Sequence, residues 1–266
     1  MAMTRRARAR ALTLSLYAVF VAIVVVFAVV ADWEAISENF FLTEGFTGNW
    51  QTMILVGARN TIWYTIVAFV GGFVLAVVLV LMKLAPIAPF RWLATAYIEL
   101  FRGLPALVVI LFMGFGVPIA FGWRPPGGPV GAGLLALMMV AGAYMAETLR
   151  AGIEAVPKGQ TEAARSLGMS SSWTMASVVM PQALRIVVPP LTNELVILLK
   201  DTSLLFVVGL AASQRELTTL SRDFMSSGAS AGTATSLAFA ALLYLAITLP
   251  LTRLVAWMES KQKRSR

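Results

Sequence analysis

The feature that most constrains this chain is a set of long, nearly uncharged apolar runs separated by short polar segments. The first run covers residues 12–31. A helix needs roughly 20 predominantly apolar residues to cross the hydrocarbon core of a bilayer. Hydrophobic residues make up 59% of the 266 residues and charged residues only 13%, whereas a soluble domain is about 25% charged. The chain is therefore predicted to be embedded in a membrane.

The chain contains no cysteine and no histidine. This excludes a disulfide framework and a thiolate metal site, and it removes the commonest general base and the commonest metal ligand. A formal net charge of +8 can accompany nucleic-acid binding, but here the basic residues flank the apolar runs. Their placement indicates membrane topology rather than nucleic acid, and the composition disfavours an enzyme.

Six runs of this kind predict an all-α fold, a polytopic membrane bundle with six transmembrane helices. The third run is interrupted by Gly103 and Pro105. The first run also fits a signal peptide, but it is longer than the roughly 7–15 apolar residues of such a segment, so we predict a retained anchor. The predicted spans are residues 12–31, 57–82, a segment within 93–121, 130–146, a segment within 186–211, and 237–257.

Lysine and arginine are unevenly distributed over the segments that join these runs. One side of the membrane receives the N-terminal arginine cluster, the basic loop after the fourth run and the C-terminal basic cluster. The other side receives an acidic loop after the first run and a polar, Ser- and Gly-rich loop at 213–232. Cytoplasmic loops carry the excess of lysine and arginine, so both termini are predicted to be cytoplasmic.

The polar stretch between the fourth and fifth runs has the signals of a short helix. Pro157 suits a helix entrance, residues 160–167 are mostly good helix formers, and Gly168 is placed like the glycine that follows a helix C-terminus. Glu162 lies near the N-terminal end, where the helix dipole favours an anion, and it is spaced to pair with Arg165.

Two further features of this stretch concern its surroundings. Ala163 and Ala164 lack bulk, so the face that carries them fits into a groove of a partner. Residues 170–172 are serines, which predict the cap of a second short helix, and we expect Pro181 to end that helix.

Glu162-Ala163-Ala164, followed after three residues by Gly168, resembles the EAA motif of bacterial ABC-importer permeases. The flanking segments make the resemblance specific to the subfamily for polar amino acids, the glutamate, arginine and histidine type, and it extends from about residue 60 to the C-terminus. The matching segments are Tyr97-Ile98-Glu99-Leu100-Phe101-Arg102-Gly103-Leu104-Pro105, Gly142-Ala143-Tyr144, Glu147, Arg150-Ala151-Gly152-Ile153, Lys158-Gly159-Gln160, Pro181-Gln182-Ala183-Leu184-Arg185 and Leu198-Leu199-Lys200-Asp201-Thr202-Ser203-Leu204.

The resemblance implies a type I, MetI-like ABC-importer permease in the bacterial cytoplasmic membrane. It implies a second permease subunit, identical or homologous, two cytoplasmic ABC ATPase subunits, an extracytoplasmic amino-acid-binding protein and surrounding membrane lipid. The cargo it implies is a polar amino acid such as glutamate, glutamine or arginine. The chain has no Gly-rich phosphate loop ending in Gly-Lys-Ser or Gly-Lys-Thr, so ATP and Mg are expected in the partner ATPases and no cofactor or metal in this chain.

In that family the EAA segment forms the coupling helix, which docks in a cleft of the ATPase subunit. The resemblance divides the chain into residues 1–50 (basic tail, extra anchor and acidic external loop), 51–258 (permease transmembrane domain with a coupling loop at 152–172) and 259–266 (basic cytoplasmic tail). The residues to which it assigns ATPase coupling are Gln160, Glu162, Ala163, Ala164, Arg165, Leu167 and Gly168.

Three positions depart from the subfamily's pattern. Leu104 stands where threonine is usual, and Ala106 and Val109 stand where leucine and glutamine are usual. These departures concern the details of the substrate rather than the fold.

Charged and polar side chains also interrupt the fifth apolar run. Ionisable groups in a bilayer cost roughly 2.5–3.5 kcal/mol each on insertion scales, and they usually face a bundle interior, a cavity or a partner. A break of the helix near Asp201 would expose backbone groups of the kind that line transporter sites. We predict that the substrate pathway is bordered by Arg102, Asn193, Glu194, Lys200, Asp201, Thr202 and Ser203.

Two interpretations of these charges stay open. An amino-acid zwitterion needs an anionic and a cationic partner, which this segment supplies; alternatively, Lys200 and Asp201 form an ion pair between two permease subunits. Glu99 and Arg102, spaced to meet on a helix, fit either a pathway opened by a kink at residues 103–105 or an interfacial pair.

Two other functions are compatible with parts of the sequence. An ion-coupled secondary amino acid carrier would explain Glu194, Lys200 and Asp201 but leaves the Gln160–Gly168 segment without a role. An assembly or enzyme-anchor subunit without a pathway leaves the intramembrane charges without a role. Transport by this chain alone, driven by a gradient, would distinguish the carrier from the importer.

Overall fold

The computed structural model describes residues 5–264, without the side chains at positions 7–9, 263 and 264. Residues 1–4 and 265–266, which end the two predicted basic tails, lie outside the described residues. Within the described range the chain is helical and contains no strand. The α-helices are α1 (Arg5–Val30), α2 (Trp33–Phe40), α3 (Thr43–Thr52), α4 (Arg59–Leu84), α5 (Ala88–Gly103), α6 (Ala106–Leu111), α7 (Val117–Phe121), α8 (Gly128–Glu154), α9 (Lys158–Ser166), α10 (Ser171–Thr174), α11 (Met180–Asp201), α12 (Leu217–Ser226) and α13 (Thr235–Arg264).

Three π-helical turns and two 3₁₀ helices complete the path of the chain. The π-helical turns Met53–Ala58, Phe112–Gly116 and Met175–Val179 join α3 to α4, α6 to α7 and α10 to α11. The 3₁₀ helices Thr202–Val208 and Ala212–Gln214 follow α11. Such turns change the direction of the side chains that come after them without ending the helix.

Four helical stretches among the described residues are long and apolar enough to cross a membrane, namely those that contain α1, α4, α8 and α13. A fifth is obtained if α5–α7 count as one span, and they meet at 105° across Leu104 and Pro105. The interruption predicted there is therefore confirmed. α11, which contains Pro189 and Pro190, is not among these stretches, and the number of six spans stays a prediction.

The expectation that the helix capped by serine ends at Pro181 is wrong. Ser170 does cap α10, since its hydroxyl accepts a hydrogen bond from the N–H of Trp173 at 3.3 Å. α10 then continues through a π-helical turn into α11, whose first turn contains Pro181. The π-helical turn ends two residues before Pro181, and a local adjustment of this kind lets a helix continue past a proline.

α8 lies at the centre of the bundle and packs on α4, α5, α6 and α11. Of the residues in the most apolar 18-residue stretch of α8, 61% are buried, whereas none are buried in the corresponding stretch of α1. α11 in turn packs on α13. The anchor α1 is thus attached in sequence to a bundle whose core is built around α8.

Small residues let α4 and α8 approach at backbone distance. A Cβ atom added to Gly72 would lie 3.3 Å from the backbone nitrogen of Gly142, and one added to Gly142 would lie 3.2 Å from the carbonyl oxygen of Gly72. Ala141 and Ala76 beside them are buried. Close backbone approach through small residues is typical of helix pairs in membranes, where packing rather than hydrophobicity holds helices together.

The external loop predicted at 213–232 contains α12 and is fastened to the bundle. Glu216 is fully buried, and its carboxylate accepts two backbone N–H groups of α12 at 2.6 and 2.7 Å and the hydroxyl of Tyr244 in α13 at 3.2 Å. Burial raises the pKa of Glu216, while these hydrogen bonds act in the opposite direction. Asn60 and Tyr64 of α4 donate hydrogen bonds to carbonyl oxygens that precede α12.

We expect Gly142→Ala to lower the thermal stability of the protein in detergent. The new Cβ would lie 2.9 Å from Leu75 Cδ2 and 3.2 Å from the Gly72 carbonyl oxygen, and overpacking of this kind costs about 1–3 kcal/mol. Gly103→Ala is the control, because its Cβ would have no neighbour within 4 Å. Equal shifts in melting temperature for the two variants would contradict the packing argument.

Candidate functional site

A cavity of about 470 Å³ lies where the break between α5 and α6 faces α8 and α11. Three of its lining side chains carry polar groups, namely Tyr144 of α8 and Glu194 and Asp201 of α11. The cavity is therefore an apolar chamber with two carboxyl groups and a phenol. The other lining residues are Leu104, Pro105, Ala106, Leu107, Leu137, Val140, Ala141, Ile197, Leu198 and Leu204.

Glu194 and Asp201 reach the same cavity because of their spacing. They are seven residues apart on one helix, which is nearly two turns, so their side chains lie on one face. Both are half-buried. α11 ends at Asp201, and the chain continues directly into the 3₁₀ helix Thr202–Val208, so the helix changes its type at this point. Two carboxyl groups in an apolar chamber favour a cationic ligand, because an ionised group out of water needs an opposite charge.

The other residues predicted from this segment do not line the cavity. Lys200 and Asn193 are exposed. Thr202 is fully buried, and its hydroxyl donates to the carbonyl oxygen of Leu199 at 2.7 Å. Ser203 is half-buried on the 3₁₀ helix. The structure therefore brings together the two anionic residues of the predicted set and leaves Lys200 outside the cavity. The adjacency of Lys200 and Asp201 in sequence does not reveal that their side chains point in different directions.

Arg102 borders the cavity through Tyr144. Its guanidinium carbon lies 5.6 Å from the centre of the Tyr144 ring, and the Tyr144 hydroxyl donates to the Arg102 carbonyl oxygen at 3.2 Å. The expected ion pair between Glu99 and Arg102 is not formed among the described residues. Stacking on Tyr144 takes its place, which the sequence could not show because the two residues are 42 positions apart.

Tyr144 is the site residue that sequence reasoning missed. The sequence identifies it only as part of the Gly142-Ala143-Tyr144 segment, and the family resemblance of that segment was the available signal.

A second groove, of about 550 Å³, lies between α4, α8 and α11. Its lining is apolar apart from Ser171 and Ser172, so it offers little for recognition of a charged substrate.

The predicted coupling segment forms α9, and its caps are those that the sequence predicts. Pro157 precedes the helix, and its carbonyl accepts the N–H of Gln160 at 2.9 Å. At the other end Gly168 has φ +86°. The N–H of Gly168 bonds to the carbonyl of Arg165 at 3.0 Å, and that of Met169 to the carbonyl of Ala164 at 3.2 Å, which is the Schellman motif.

α9 exposes an apolar surface to its surroundings. Ala164 is buried against this chain, whereas Ala163 is exposed and Leu167 is 84% exposed. Ala163 and Leu167 are four residues apart and therefore lie on one face. Gln160, Glu162, Arg165 and Gly168 are also exposed. A large exposed side chain beside a small one, on a short helix, is suited to contact with a partner.

One expected contact within α9 is not formed. Arg165 donates from Nη1 to the carbonyl oxygen of Met169 at 2.6 Å, and the structure forms no ion pair between Arg165 and Glu162 in this described helix. The arginine therefore supports the turn after the helix, where a cation is favoured by the helix dipole, and leaves Glu162 at the surface.

Ion pairs fix the end of α8 from which the loop with α9 departs. Glu147 accepts Lys83 of α4 at 3.3 Å and also pairs with Arg150. Arg150 pairs in addition with Glu154, in the last turn of α8. These contacts join α4 to α8 at the base of the loop.

Comparison with known proteins places these features in a family. Residues 72–264 match the family described as binding-protein-dependent transport system inner membrane component. The probable glutamine ABC transporter permease protein GlnM of Bacillus subtilis is 36% identical over 80% of this chain and 95% of its own length. The arginine transport system permease protein ArtQ of the same organism is 33% identical over 79% of this chain and 92% of its own length.

A solved structure agrees with the sequence relatives. The crystal structure of an amino acid ABC transporter with histidines matches with a TM-score of 0.73 and 33% identity, over 81% of this chain and 96% of that chain.

We expect Gly168→Ala to loosen the end of α9. Alanine at φ +86° adopts the left-handed conformation at a cost of about 1–2 kcal/mol, although a Cβ there meets no neighbour within 4 Å. Gly159→Ala is the matched control, since Gly159 is helical and equally open. Amide hydrogen exchange over residues 158–170 should accelerate only in the first variant, and unchanged exchange in both would contradict this role of Gly168.

Proposed function

The chain belongs to the family of inner membrane components of binding-protein-dependent transport systems, and we propose that it is the permease subunit through which a polar amino acid is imported, driven by ATP hydrolysis in partner subunits. The observation that carries the proposal is the exposed face of α9, with Ala163 beside the largely uncovered Leu167. A helix of this shape, between two membrane helices, is suited to seat in a groove of an ATPase subunit.

We assign the substrate pathway to the cavity between α5, α6, α8 and α11. Glu194 and Asp201 supply negative charge there, which suits the ammonium group of an amino acid or a basic side chain. Arg102, stacked on the ring of the lining residue Tyr144, is the cation that we assign to the substrate carboxylate. Leu104 and Ala106, two of the departures from the subfamily's pattern, line this cavity, so they act on substrate choice.

We assign Lys200 a different role. It is exposed at the end of α11 and does not line the cavity. Of the two interpretations of this charge, contact with the second permease subunit is therefore the one that we favour. A buried lysine in such an interface needs an anionic partner to offset its desolvation.

The coupling that we propose begins at α9. Closure of two ATPase subunits on ATP and Mg would move α9, and the ion pairs of Glu147 and Arg150 would carry that movement into α4 and α8. Because Tyr144 and Glu147 are on the same helix, the wall of the cavity would move with it. An extracytoplasmic binding protein would deliver the amino acid, and the chain itself would make no covalent chemistry. In this proposal both termini lie in the cytoplasm.

The ion-coupled carrier is less well supported. It would use Glu194 and Asp201 equally well, but it gives no function to the exposed apolar face of α9. The two relatives named above are an ABC transporter permease and a permease of an arginine transport system, which adds support to the importer.

We expect Ala163→Glu to abolish substrate-stimulated ATP hydrolysis by the complex reconstituted in lipid with its binding protein. A long, charged side chain would prevent close seating of α9, whereas it would leave α9 itself folded because Ala163 is exposed. Ala163→Ser is the control and should retain coupling. The amino acid that stimulates the wild-type complex identifies the cargo.

Two results would contradict the importer proposal. One is a purified complex without ATPase activity, and the other is full coupling in Ala163→Glu. Either would make gradient-driven uptake by this chain alone the function to test.

We expect Glu194→Gln and Asp201→Asn each to reduce uptake into proteoliposomes by about tenfold or more, because a hydrogen bond to a charged group contributes about 1.5–3 kcal/mol. Both variants should still assemble, since only a cavity wall changes. Asn193→Ala is the control, because Asn193 adjoins Glu194 but is exposed and does not line the cavity. Normal uptake in both carboxyl variants would move the pathway away from this cavity.

A further inference from the structure

A cleft of about 500 Å³ lies where the start of α11 meets the C-terminal end of α13. Arg185 contributes a guanidinium from α11, and Lys261 contributes an ammonium from α13. Val188, Pro189 and Met258 form an apolar wall beside them. The cleft therefore combines two cations with an apolar surface, at the end of a helix that is long and apolar enough to span a membrane.

One cation, Lys261, is positioned by an aromatic ring, and the backbone of Arg185 is tied to α13. The ammonium of Lys261 lies 5.3 Å from the centre of the Trp257 ring, one turn earlier on α13. The Gln262 side chain donates to the backbone carbonyl of Arg185, which ties the two helices together at the cleft. None of the described residues that line the cleft is acidic.

The surroundings of the cleft match the boundary of a membrane. Trp257 is exposed, as tryptophans at the level of lipid headgroups are. α13 carries its C-terminal lysines and arginines at this end, which the distribution of charge assigns to the cytoplasmic leaflet. Basic pockets between transmembrane helices on that side are suited to anionic lipid headgroups.

We propose that this cleft binds an anionic phospholipid of the cytoplasmic leaflet, with its phosphate between Arg185 and Lys261. One acyl chain would lie along the wall formed by Val188, Pro189 and Met258. A soluble phosphate would use the two cations but not this apolar wall. The proposal depends on the membrane orientation of the chain and not on the identity of the transported amino acid.

The test is binding of phosphatidylglycerol to the complex in nanodiscs, measured by native mass spectrometry against a background of phosphatidylcholine. Removal of one cation near a membrane surface weakens binding of an anionic lipid about fivefold, so Arg185→Gln and Lys261→Gln should each do so. The exchange variant Arg185→Lys with Lys261→Arg should retain binding because it keeps both charges. Arg91→Gln, at another exposed arginine on the predicted cytoplasmic side, controls for the loss of one positive charge and should also retain it.

Three results would overturn the proposal. Unchanged phosphatidylglycerol binding in both single variants would remove the site. Displacement of the lipid by millimolar inorganic phosphate would assign the cleft to a soluble anion. Loss of the ATPase or of the second permease subunit, with lipid binding unchanged, would assign this face to a protein partner.

Discussion

The close approach of α4 and α8 at Gly72 and Gly142 is the constraint on which the rest of the structure depends. A Cβ atom on either glycine would come within 3.3 Å of the backbone of the other helix, so the absence of side chains here permits the close approach. In a bilayer, apolar side chains gain little by facing each other rather than lipid, and such packing is a main source of helix association. α8, fixed in this way, then serves as the surface against which α5, α6 and α11 assemble.

α8 carries two features close together near its C-terminal end. One wall of the cavity is formed by Tyr144, and the ion pairs at the base of the predicted coupling loop begin at Glu147, less than one turn later. A helix of 27 residues is about 40 Å long and is stiff between its contacts. The cavity wall and the base of the loop are therefore parts of one helix.

The sequence predicts those features that are set by neighbours along the chain. The ends of α9 and the break between α5 and α6 follow from proline, glycine and capping signals, and the structure has them. Features set by packing were not predictable: Lys200 and Asp201 are adjacent in sequence but only Asp201 lines the cavity, and Arg102 stacks on Tyr144 instead of pairing with Glu99. Continuation of the helix through Pro181 was missed because it depends on a π-helical turn that has no clear sequence signal.

The exposure of α1 has a consequence for the order of events during synthesis. Each of its described residues whose side chain is resolved is exposed, so within this chain its stability as a helix does not wait for the core to form. It precedes the helices of the bundle in the chain, so it is synthesised before them. Formation of α1 is therefore separable in time from packing of the bundle, and the later helices assemble around α8 after α1 has already formed.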